Sequence, residues 1–192
     1  MSDFLATIQA CREQAAQGSL ASAFETLRAK LRAGPWDPFD CDLAGQWLAE
    51  VAPSASTQSA FPLVRVALLA DHTATPLAHA VRCAFLYEGS VAVIYESLFD
   101  TVFQEIFNAE SGLYREPRDL VLIALLQQHV GIPEQPLSAP TAVEVAANTV
   151  VGRWEAAWAA LRQKLSCPVL QHTIVPPGLA WRGRTRTAGI TG

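Results

Sequence analysis

Charged side chains are scarce in this chain: they make up 17% of its 192 residues, against 51% hydrophobic composition. Basic charge is scarcer still, with a formal net charge of −4 and a pI near 5.5. That balance argues against a general nucleic-acid role, because phosphate backbones are gripped by a concentrated basic face. One basic cluster, Arg182, Arg184 and Arg186, sits in a Gly/Thr-rich end and reads as a solvated tail. No apolar run reaches membrane-spanning length, and no membrane partner is expected. The opening Met1-Ser2-Asp3 leads into an amphipathic segment, not into the charged and then apolar regions of a signal peptide. The four cysteines, Cys11, Cys41, Cys83 and Cys167, are far apart and form no CxxC pair. Reduced thiols in a cytoplasmic protein are the expected state.

Motifs of common chemistry are missing too. There is no phosphate-cradling GxGxxG and no Walker lysine loop, so nucleotide cofactors have no support. HExxH and HxH spacings are absent, and His72, His129 and His172 are separated by long stretches of chain, so no metal site is expected. Asp40-Cys41-Asp42 superficially resembles a phosphoryl-transfer nucleophile pair, but it follows "AGPW" instead of a buried strand. Asp40 is expected to cap a helix there.

What is present is a change of texture. Residues 1–52 carry helical spacing: Phe4, Leu5, Ile8 and Cys11, then Leu20, Phe24, Leu27 and Leu31. Gly18-Ser19 offers a break with Ser19 as N-cap, and Gly34-Pro35 a stop. A third, shorter helix is predicted over "DLAGQWLAEVA", with Leu43, Trp47 and Leu48 inward. These make a small helical cap, joined by a linker at 53–62, "PSASTQSAFP", to an α/β domain at 63–178 and a flexible tail at 179–192.

In the α/β part, "LVRVALLA", "SVAVIY", "DLVLIALL" and "PVLQHTI" read as buried strands. Between them lie helical patterns from Pro76 to Glu88, over "LFDTVFQEIF" and over 141–165. Alternating strands and helices predict right-handed crossovers and a mainly parallel, doubly wound sheet, incomplete in the flavodoxin-like sense. Such sheets bind ligands beyond the carboxyl ends of their strands. Four turns are expected there: Asp71-His72-Thr73, Tyr95-Glu96-Ser97, Gln127-Gln128-His129 and Gln171-His172-Thr173. Catalytic candidates are Asp71 orienting His72 as a base, with Thr73 or Ser97 as the hydroxyl. Ligand-edge candidates are Glu96, Ser111, Tyr114, Gln128, His129, Gln171 and His172. Thr73 and Thr75 compete with these roles as caps of the helix starting near Pro76.

Several blocks in order carry a family likeness: "VALLADHTATPLAHAVRCAF", "VAVIYESLFDTVFQEIFNAESGLYREPRDLVLIAL", "RWEAAWAALRQKL" and "PVLQHTIVPP". Over about residues 63–175 the pattern resembles the N-terminal domain of FkbH-like proteins, which precedes their HAD-type (HAD-IIIC) phosphatase domain. The matching positions are Ala70-Asp71-His72-Thr73, Pro76-Leu77, Ser111-Gly112-Leu113-Tyr114 and Asp119. The resemblance implies a role in moving a glyceryl unit from 1,3-bisphosphoglycerate to an acyl carrier protein for polyketide extender units. The aspartates and Mg2+ of that reaction belong to the HAD domain, so no cofactor is expected in this chain. Its front domain looks like a degenerate SGNH-hydrolase fold. An SGNH enzyme places Gly-Asp-Ser after its first strand, where this chain has Ala70-Asp71-His72. The Gly-x-Asn-Asp block is replaced by Leu125-Leu126-Gln127-Gln128, and the late Asp-x-x-His block is missing. The implied role is a non-catalytic accessory domain docking an acyl carrier protein or a HAD-type phosphatase domain. The alternatives are a divergent esterase or acyltransferase using His72, and a truncated gene product without independent activity.

Overall fold

The structure, a computed structural model, describes residues 3–58, 61–125 and 140–172. Three helices come first: α1 (Asp3–Ala16), α2 (Leu20–Arg32) and α3 (Pro38–Gln58). The α/β part follows as β1 (Leu63–Ala70), α4 (Thr75–Glu88), β2 (Val91–Glu96), α5 (Val102–Phe107), β3 (Leu120–Ala124), α6 (Pro140–Lys164) and β4 (Val169–Gln171). The four strands are all parallel, in the order β2-β1-β3-β4. Leu68 pairs with Glu96, Ala70 with Ala124 and Val121 with Val169, so the carboxyl ends of β1, β2 and β3 lie close together. The α/β class and the parallel sheet expected from the sequence are both present.

Strand alternation sorts β1 between two layers. Ala67 and Leu69 join Val121, Ile123, Val102, Ile106, Trp154 and Leu161 in a core under α5 and α6. Leu68 and Ala70 point the other way, against Ala74 and Ala78 at the start of α4. Covering both faces explains why the strands read as continuous apolar runs. Gly89 ends α4 in the left-handed region at φ 94°, with its N–H on Leu86 O and the Ser90 N–H on Phe85 O. This Schellman closure turns the chain directly into β2.

The helical segment shares its core with the sheet. Phe24, Leu27, Leu31, Trp47 and Leu48 form one cluster with Cys83 and Leu86 of α4 and Val91 of β2. Truncating a buried leucine such as Leu27 to alanine in such a cluster costs about 2–5 kcal/mol.

Four local expectations are corrected. The third helix is longer, not shorter: α3 runs through Pro53 to Gln58 and takes in most of the 53–62 stretch expected as linker. Its turn-forming composition is overridden because Ala52 and Ala55 are buried in the helical core. Asp37, not Asp40, caps α3, its Oδ1 accepting the Asp40 N–H at 2.8 Å. Ser19 stands at the N-cap of α2 without a side-chain cap bond, and α4 begins after Ala74 with neither Thr73 nor Thr75 capping it. Thr75 instead donates its hydroxyl to Glu96 Oε2 at 3.2 Å.

Candidate functional site at the carboxyl edge

The turn after β1 is built from a buried acid and a half-buried base. Asp71 is buried, and its Oδ1 lies 2.8 Å from His72 Nδ1. That contact orients the imidazole and leaves Nε2 as the nitrogen available to a reacting group. Thr73 is exposed beside it.

Ser97 is committed elsewhere. Its N–H bonds Leu68 O, and its Oγ accepts the Ala70 N–H at 3.1 Å, so it extends the β1–β2 pairing past the last strand residue. Among the described residues no hydroxyl is hydrogen-bonded to His72. The structure thus joins Asp71 to His72 and places Ser97 on the backbone of Ala70. The nucleophile–base contact that defines a serine hydrolase is not assembled from these residues.

Glu96 faces α4. It takes the Thr75 hydroxyl on one oxygen and lies 3.4 Å from Arg82 Nη2 with the other. Arg82 is only 6% exposed, and its Nε and Nη1 are buried without a hydrogen-bond partner among the described residues. A second pair sits one turn earlier on α4, where His79 Nδ1 meets Asp42 Oδ1 of α3 at 2.7 Å. Sequence reasoning missed both pairs. The one available signal was an arginine inside the apolar pattern "HAVRCAF".

At the far edge, His172 is a backbone tie. Its Nε2 accepts the Leu125 N–H at 2.6 Å, which puts the ring proton on Nδ1. Gln171 accepts the Trp158 indole N–H at 2.9 Å. Gln128 and His129 lie outside the described residues. Among the described residues no group of three or more His, Cys, Asp or Glu could hold a metal ion. No helix of the described residues is long and apolar enough to cross a membrane.

Ser111 and Tyr114 are corrected as ligand-edge residues. Their hydroxyls bond the Glu105 and Ile106 carbonyls of α5 at 2.7 and 2.6 Å. The segment leaving α5 returns to the amino end of β3, so it packs under the sheet beside Tyr95 and not at the carboxyl edge. Burial, reinforced by the hydrogen bond and charge of Glu105, pushes the Tyr95 phenol up to about 12.

The loop after β2 gives this edge an apolar face. Leu98 is 74% exposed and Phe99 66%, and the turn they form is closed by the Thr101 hydroxyl on Leu98 O. Leu77, in the first turn of α4, is also exposed.

No protein-family model matches this chain, and no curated protein matches it. Among solved structures it is similar to the N-terminal part of the protein BF1531 from Bacteroides fragilis, a crystal structure containing a phosphatase domain and complexed with Mg. The match has a TM-score of 0.57 and 16% sequence identity, and it covers 79% of this chain and 37% of that one. The two share a fold. This chain spans little more than a third of that structure.

Proposed function

We propose that this chain is a non-catalytic accessory domain of an FkbH-like protein, and that its carboxyl edge docks a HAD-type phosphatase domain. The observation carrying this reading is the exposed Leu98-Phe99 pair, which follows Ser97, whose hydroxyl holds the Ala70 N–H just before Asp71 and His72. Two large apolar side chains on a hydrogen-bonded turn, rimmed by polar strand ends, have the anatomy of a recognition patch. The choice of occupant comes from the structural likeness: the matched chain is much longer than its matched part and contains a phosphatase domain. In this reading the glyceryl chemistry, its Mg2+ and the loading of an acyl carrier protein belong to the docked domain. This chain contributes surface.

A purified HAD-IIIC phosphatase domain of an FkbH-like protein, titrated calorimetrically into this chain, tests the proposal. Binding that weakens about tenfold or more in Leu98→Asp supports it, the loss expected of a buried apolar anchor. Unchanged affinity in that variant, or no binding to the wild type, overturns it.

A second reading rests on the 2.8 Å Asp71–His72 contact, which suits a general base of a divergent esterase or acyltransferase. Turnover of short acyl esters that disappears in His72→Ala would establish that reading instead.

A further inference from the structure

The amino end of the sheet carries a site of different character. The residues just before β3 and β4 line an open surface cleft of about 560 Å3, among them Tyr114, Arg115, Glu116, Arg118, Lys164 and Ser166. Three cations face one carboxylate there, in a chain whose net charge is −4.

The walls are held in place before any ligand arrives. Arg118, whose side chain is 4% exposed, donates Nη2 to Gly112 O at 2.9 Å and Nε to Leu113 O at 3.2 Å, and its guanidinium stacks 4.9 Å over the Tyr95 ring. Among the described residues its remaining edge, Nη1, has only a long 3.5 Å contact with Glu116. Glu105 fastens the same loop from α5 by accepting the Leu113 N–H. Lys164, the last residue of α6, holds its ammonium 4.5 Å over the Tyr114 ring. Among the described residues neither Lys164 nor Arg115 is ion-paired, and both are exposed. Ser166 adds an exposed hydroxyl on the facing wall.

We propose that this cleft binds the phosphoryl group of a small phosphate ester or diphosphate. Arg118 supplies a fixed positive field from a buried position, where solvent screens it least. Lys164, from its place over the Tyr114 ring, and the exposed Arg115 supply charge-assisted hydrogen bonds to the phosphoryl oxygens, and Ser166 is a further donor. Glu116 opposes the ligand and lowers its affinity. The site is independent of the carboxyl-edge docking reading, since it lies at the opposite ends of the strands.

Inorganic pyrophosphate titrated at constant ionic strength into the 15N-labelled chain tests this. The expected result is saturable shifts at Arg115 and at Leu165 and Ser166. Affinity should weaken about fivefold in Lys164→Gln or Arg115→Gln, the upper end for an exposed ion pair, and tighten in Glu116→Gln. These positions are exposed, so the variants should keep the wild-type fold and spectrum elsewhere. Shifts that never saturate, or that persist unchanged in the Arg115→Gln/Lys164→Gln double variant, would overturn the proposal. So would binding to phosphatidic acid vesicles with none to pyrophosphate, because the ligand would then be a lipid surface.

Discussion

A Cβ placed on Gly45 would overlap both Cα and Cβ of His79, so α3 and α4 meet backbone to backbone at this crossing. The contact brings Asp42, one turn before Gly45, onto His79 Nδ1 and seats the helical segment against the α/β part. Backbone cannot step aside as a flexible side chain can. Gly45→Ala should therefore destabilise the protein by about 2 kcal/mol, in the range for overpacking, read as a lower urea midpoint. Gly152 supplies the internal control. It is exposed within α6 and has open space around its Cα, so Gly152→Ala should stabilise by about 0.5–1 kcal/mol through helix propensity alone.

The role of Ser97 separates structure from catalysis. If its hydroxyl serves the Ala70 N–H, Ser97→Ala strands a backbone donor at the end of β1. The expected cost is about 1–3 kcal/mol, the range for a buried unsatisfied group. Hydrogen exchange at the Ala70 amide should accelerate in the same variant. A variant as stable as wild type, with Ala70 equally protected, would show that the hydroxyl is not holding the strand end.

The strands and their direction were legible because burial on both faces leaves an unbroken apolar signature, as in "LVRVALLA". Pro76 and Gly89 marked α4 at both ends. The extension of α3 was not legible: "PSASTQ" has turn chemistry, and only the contacts of Ala52 and Ala55 make it helical. Caps failed for a related reason. Ser, Thr and Asp advertise capping, but which of them reaches an amide depends on where the preceding chain enters, and Asp37 entered best.

Part of the candidate site was readable from strand ends, which brought Asp71, Glu96, Gln171 and His172 to notice. Ser111 and Tyr114 were misplaced because their position depends on which end of the sheet the loop after α5 regains. The Arg82–Glu96 and His79–Asp42 pairs depend on helices lying against a strand and against each other, which no local pattern encodes.

Arg118 should be irreplaceable by lysine. It spans Gly112 O, Leu113 O and the Tyr95 face at once, and a single ammonium cannot reproduce that planar fork. Arg118→Lys is expected to lose about 2 kcal/mol, the scale of a hydrogen bond to a charged group. Amide exchange over residues 108–118 should rise more than exchange in β1. Equal protection in both segments would mean that the loop is held by Glu105 and Ser111 alone.

The buried thiols set an alkaline limit on stability. Burial pushes the Cys11 thiol up to about 11 and the Cys83 thiol up to about 12, the latter reinforced by neighbouring Cys41. In the unfolded chain both titrate near 8.5. A group whose pKa is raised by folding contributes fully while it is protonated in both states, and that contribution is lost as pH climbs from the unfolded toward the folded value. Stability should therefore hold up to about pH 8.5 and decline between there and 11–12. Tyrosines and lysines titrate in the same range, so the comparison that isolates the thiols is urea unfolding of wild type against Cys83→Ala across pH 8–11. The variant starts lower, from its lost packing, and should fall less steeply. Reagent access provides a second readout at pH 8: the half-buried Cys41 and Cys167 should react with a thiol reagent well before Cys11 and Cys83. Parallel pH slopes together with four equally fast thiols would show that neither Cys11 nor Cys83 is sealed in the core.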